Sequence, residues 1–164
     1  MMCKSFLFKV LSWCLVVVFP AGFSYAEDRG LKLTSSRNPA VQSEQRTALL
    51  IGNGAYESAP LRNPPHDAQA MGRVLREQGF DVTERQNLDQ KEMKKEIQAF
   101  GQKLLKGGVG LFYYAGHGMQ VNGRNYLIPV GAQIEHEKQV EYEAVDVGAV
   151  LAEMDNARNR LNIV

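Results

Sequence analysis

The sequence predicts an α/β domain whose mostly parallel sheet is covered by helices on both faces. Two observations carry this prediction. Short, nearly uniform apolar runs ending in glycine, TALLI at 47–51 and VGLFYYA at 109–115, read as buried strands, and they alternate with longer segments of helical apolar spacing. Strand–helix–strand succession implies right-handed crossovers and parallel pairing. The composition agrees with a single compact domain: 164 residues, 45% hydrophobic and 23% charged, with a formal net charge of +1. It shows no disorder-type bias and no basic excess that would suggest nucleic acid.

Residues 1–26 read as a secretory signal peptide. Lys4 and Lys9 precede the apolar run Val10 to Phe19, and Ser24-Tyr25-Ala26 supplies a small-x-small cleavage site. The run falls short of the roughly 20 residues that span a bilayer. Cleavage after Ala26 is therefore favoured over a retained anchor and predicts a secreted or periplasmic protein with no stable membrane association. Both cysteines, Cys3 and Cys14, lie within this segment, so the chain from Glu27 onward contains neither a disulfide nor a thiol nucleophile. Residues 27–45 (EDRGLKLTSSRNPAVQSEQ) are polar and lack apolar periodicity, and they read as a flexible lead-in to a domain over 46–164.

The remaining elements follow in order. After the first strand, PPHDAQAMGRVLREQG places Ala68, Met71, Val74 and Leu75 at helical spacing between prolines and Gly79. Phe80 to Arg85 alternates like a strand. Asp89 can cap a helix with apolar positions Met93, Ile97, Phe100, Leu104 and Leu105, closed by Gly107-Gly108. Val109 to Ala115 forms the next strand, and Asn122-Gly123 between GMQV and RNYLIP signals a tight hairpin. EHEKQVEYE at 135–143 reads as an exposed loop or edge bordering the active site. A helix is expected over Val147 to Met154. Leu161 to Val164 (LNIV) begins another strand, whose apolar character suits the middle of a sheet, so the sheet is expected to be incomplete at the C-terminus.

LFYYAGHGMQ, residues 111–120, ends a strand in a histidine held between two glycines. Ligands of open α/β sheets bind at the carboxyl ends of strands, and imidazole transfers protons near neutral pH. His117 therefore reads as half of an active site, against the alternative of a turn histidine that satisfies backbone groups. The flanking glycines favour the first reading, since they permit close backbone approach and positive φ.

The succession TALLIGNGAY, LRNPPHDAQAM, GVGLFYYAGHGMQVNGRNYLIP and ARNRLNIV resembles the large-subunit (p20-like) region of the caspase-like cysteine peptidases, in their bacterial caspase-like and metacaspase-type branch. The resemblance extends from Arg46 to Val164. It implies a caspase-hemoglobinase-like three-layer sandwich and an endopeptidase acting on protein or peptide substrates through a Cys-His dyad, which the signal peptide would export. His117 would be the base, and the cysteine is expected beyond Val164, so the present segment alone is expected to be inactive. By the same resemblance the Gly118 amide helps form the oxyanion hole. Asp67, in His66-Asp67-Ala68 where the family commonly has Asn-Asp-Ala, lines a pocket for substrate Arg or Lys; the bland role for Asp67 is helix capping. The alternative to an enzyme is a catalytically inactive caspase-like module that binds proteins.

Other chemistries have weaker signals. Gly52-Asn53-Gly54 lacks the third glycine of a dinucleotide loop, Glu57 standing in its place. His66, His117 and His136 are not spaced as ligands on one helix face, so no metal site and no cofactor are expected. Calcium activation, known among metacaspases, would draw on Glu135, Glu137, Glu141 and Glu143, which lack Asp-rich loop chemistry. Nothing in the sequence reveals the oligomeric state.

Overall fold

A computed structural model describes residues 44–164; the expected signal peptide and most of the expected lead-in lie outside the described residues. In chain order the elements are β1 (Arg46–Gly52), α1 (Pro64–Glu77), β2 (Asp81–Gln86), α2 (Gln90–Leu104), β3 (Val109–Ala115), β4 (Gly118–Val121), β5 (Arg124–Leu127), a 3₁₀ turn (Glu137–Gln139), α3 (Val140–Glu143), β6 (Val145–Asp146), α4 (Val147–Asn156) and β7 (Leu161–Ile163). Four strands form a parallel sheet in the order β2-β1-β3-β7, and a second sheet, β4-β5-β6, is antiparallel.

Alternate residues of β1 build two cores. Ala48 and Leu50 meet Ala68 and Leu75 of α1, while Leu49 and Ile51 join Met93, Ile97, Phe100 and Leu104 of α2 with Val150 and Met154 of α4. Helices therefore cover both faces of the parallel sheet, giving the expected three layers. Because neither face of β1 meets water, its sequence is a continuous apolar run instead of an alternating one. A third cluster, containing Tyr56, Val121, Tyr126, Ile128, Val140 and Ala144, lies under the hairpin.

Local chemistry sets the element boundaries. Asp89 and Glu92 form a reciprocal capping box at α2, with Glu92 N donating to Asp89 Oδ1 at 2.8 Å and Asp89 N to Glu92 Oε2 at 3.1 Å. Asn122 and Gly123 take φ of 50° and 77°, the paired left-handed geometry of a two-residue hairpin turn.

Several expectations change. The lead-in does not stay free through Gln45: the Gln45 carbonyl accepts from Val109 N at 2.8 Å, and Glu44 pairs with Arg160. Residues 137–143 are a 3₁₀ turn and a one-turn helix, anchored by the fully buried Val140, and β6 was not foreseen. Val74 and Leu105, expected on buried faces, are exposed. LNIV forms β7, an edge strand of the parallel sheet among the described residues. It pairs only with Val109–Leu111 and leaves Leu161 and Ile163 about half exposed.

Candidate active site

β1 and β3 pair in register to Gly52 and Ala115, so the chain leaves both strands at the same end of the sheet. Immediately beyond β3, His117 is held by its main chain. Its N–H donates to Tyr56 Oη at 3.0 Å, and its carbonyl accepts from Ile128 N at 3.0 Å and from Tyr114 Oη at 3.0 Å. The two hydroxyls lie 3.1 Å apart, and both reach the Ile128 carbonyl, at 3.0 Å from Tyr56 and 2.8 Å from Tyr114. Burial, reinforced by the hydrogen bond with Tyr56, pushes the Tyr114 hydroxyl far above its ordinary range, so it remains a neutral donor.

The imidazole is fixed separately. Its ring packs against Tyr56 with centroids 4.4 Å apart, and Nε2 lies 2.8 Å from the Ala59 carbonyl. A carbonyl only accepts, so Nε2 carries the proton, and in the neutral ring Nδ1 keeps its lone pair available as a base. Ala59 holds φ at 60°, a left-handed conformation that costs a non-glycine residue on the order of 1 kcal/mol. Sequence reading missed both partners. Ala59 contributes only its backbone, and Tyr56 lies 61 residues from the histidine it supports.

The glycines beside His117 act differently from expectation, since neither is among the positive-φ residues. Gly116 is required for space: a Cβ there would come within 2.5 Å of Tyr114 Oη and 2.6 Å of Tyr56 Oη. At Gly118 an added Cβ would meet only Tyr126 O, at 3.4 Å. The peptide linking His117 and Gly118 is trans, and its carbonyl points to Ile128, the residue after β5. The Gly118 N–H therefore points the opposite way, off the outer edge of β4. It is a backbone donor directed away from its own sheet.

Asp67 is exposed in the first turn of α1. It does not cap the helix, because Asn63 is the N-cap residue and Asp67 N bonds to the Asn63 carbonyl at 2.9 Å. The start of α1 packs on the end of β1: a Cβ on Gly52 would come within 2.9 Å of Pro65 Cα. A cleft of about 770 Å³ borders His117 and Gly118; it includes Glu135, His136 and Glu137, as expected for that segment, but not Asp67.

The Gly52-Asn53-Gly54 turn has a structural use. Asn53 is fully buried and pairs with the Leu88 backbone in both directions, at 2.9 and 3.2 Å, while the N–H groups of Gly54 and Ala55 both donate to Asn87 Oδ1. Those donors are already engaged, so the turn does not offer a phosphate cradle. Among the described residues no three His, Cys, Asp or Glu side chains converge to hold a metal ion. Glu143 instead accepts from Gln133 N at 3.4 Å. Glu135, Glu137, Glu141 and Glu143 belong to no such cluster among the described residues. No helix of the described residues is long and apolar enough to cross a membrane.

The sheet is parallel, covered by helices on both faces, and holds an imidazole just beyond the carboxyl end of an inner strand. The family model of the caspase domain matches residues 45–157, and the chain belongs to that family of cysteine peptidases. Among curated proteins it is similar to the human mucosa-associated lymphoid tissue lymphoma translocation protein 1, with 37% identity over 91 residues. The mouse homolog of that protein is likewise 37% identical over 91 residues. The matched segment is 55% of this chain and 11% of each relative.

Proposed function

We propose that this chain is the histidine-bearing part of an exported cysteine endopeptidase of the bacterial caspase-like or metacaspase type, secreted or periplasmic after cleavage behind Ala26. The observation that carries the reading is the arrangement at His117: Nε2 committed to the Ala59 carbonyl, Nδ1 available, and the neighbouring Gly118 amide directed outward. Residues 27–164 contain no cysteine, so the thiol is one that the parent chain supplies after β7.

In the proposed reaction His117 takes the thiol proton through Nδ1, and the thiolate attacks the scissile carbonyl. Gly118 N–H donates to the developing oxyanion. The imidazolium then protonates the leaving amine, and water releases the acyl group from the thioester. Asp67 pairs with an Arg or Lys before the scissile bond; its exposed position in the first turn of α1, beside the end of β1, supports this role.

Steady-state kinetics on the parent chain carrying the cysteine test the substrate class. Asp67→Ala should lower kcat/KM for arginine and lysine substrates by roughly tenfold relative to a neutral analogue, the scale of one charge-assisted contact. Equal loss for both substrates, or cleavage only after Asp, would remove Asp67 from the pocket. A parent chain with a different residue in place of the cysteine, inert toward every peptide, would instead make this a protein-binding module.

A further inference from the structure

The cleft beside His117 is walled by the Tyr56–Ala59 turn, the start of β4 and the segment 131–137. Its lining includes three carboxylates, Glu57, Glu135 and Glu137, and two histidines, with no lysine or arginine. None of the three glutamates forms an ion pair with any described residue. Lys138 is not part of this lining; it borders an adjoining hollow with Glu141 and Tyr142, and Glu137 stands between the two. Met119, 41% exposed, and the half-buried Ile134 add apolar surface within the cleft.

We propose that this cleft seats the substrate residue immediately after the scissile bond and selects a lysine or arginine there. Its placement relative to the bond rests on the peptidase reading. The imidazole must reach the leaving amine to protonate it, and that amine belongs to the residue after the bond. That residue therefore lies against His117, while Gly118 at the same rim faces the carbonyl before it. Beyond His117 the open volume lies between Met119, Ile134 and the glutamates, on walls that exclude Asp67. A long basic side chain suits this space: its alkyl stem covers the apolar surface and its cationic head reaches the carboxylates. The cleft is open to solvent, so selection is moderate, roughly threefold to tenfold, and is screened by salt.

Binding tests this without turnover. Three amidated pentapeptides, each with a free α-amine and differing only in arginine, norleucine or glutamate at the first position, are titrated into the full isotopically labelled chain. The arginine peptide should bind roughly threefold to tenfold more tightly than the norleucine peptide at low salt, with shifts at Gly118, Met119 and Glu135, and the glutamate peptide should bind weakest. That advantage should shrink at about 0.5 M salt. It should also shrink in the Glu135→Gln/Glu137→Gln double variant, with its thermal midpoint unchanged. Equal affinity for all three peptides, or an arginine advantage that survives the double substitution, overturns the proposal. If the thiol-bearing parent proves inert while the arginine preference persists, the peptidase reading fails and the cleft's selectivity stands. If the parent cleaves peptides but is indifferent to this position, the cleft proposal fails alone.

Discussion

At His117 the main chain and the ring are secured by different parts of the molecule. Tyr56, Tyr114 and Ile128 hold the backbone, while the Ala59 carbonyl holds Nε2. Tyr56 contributes to both, through its hydroxyl and through its ring face. This division predicts unequal costs at the two neighbouring glycines. Gly116→Ala drives a methyl into both hydroxyls and should lose about 1–3 kcal/mol of stability, the usual scale of overpacking. Gly118→Ala has room and should cost well under 1 kcal/mol. Chemical denaturation of the two variants measures the contrast, and equal losses would refute the steric account of Gly116.

Tyr114 gives the same cluster a pH signature. In the unfolded chain its hydroxyl titrates near the ordinary value of 10.0, whereas burial keeps it protonated in the folded state to higher pH. Above pH 10 the folded state therefore binds more protons than the unfolded state. Its contribution is complete below that pH and is lost as pH rises beyond it. Denaturation midpoints measured between about pH 9 and pH 11 should fall for the unaltered chain and fall less for Tyr114→Phe. Parallel declines would show that this hydroxyl is not the group responsible.

Elements whose sequence matched their environment were legible. The uniform apolar run of β1 reported two covered faces, the Asp89–Glu92 pair marked the start of α2, and Asn122-Gly123 marked the hairpin. β6 was hidden because two residues, Val145 and Asp146, carry no periodicity. α3 was hidden because EHEKQVEYE has one fully buried apolar anchor, Val140, among side chains that read as a solvated loop. LNIV was legible as a strand from its apolar run, and β7 pairs with β3 at the open edge of the described sheet. In the site, His117 was marked by its place after a strand. Tyr56, Ala59 and the direction of the Gly118 amide depend on contacts between distant segments, to which local spacing is blind.

For the molecule as a whole, the family follows from the caspase-domain match over residues 45–157. Export, reaction and substrate belong to the proposal. Export makes a direct prediction: the mature protein recovered from outside the cytoplasm should begin at Glu27, as read by intact-mass spectrometry. Recovery with residues 10–19 still attached would favour an anchor.

The central claim is that His117 is the proton carrier of a cysteine peptidase, and one measurement tests it most directly: peptide turnover by the thiol-bearing parent chain with and without His117→Ala. The side chain lies at the rim of a cleft and its main chain is held by its neighbours, so the variant should fold with an unchanged thermal midpoint. Its kcat should fall by at least about 10²-fold, the usual contribution of a positioned acid–base group. A folded variant that cleaves peptides at the unaltered rate would contradict the account.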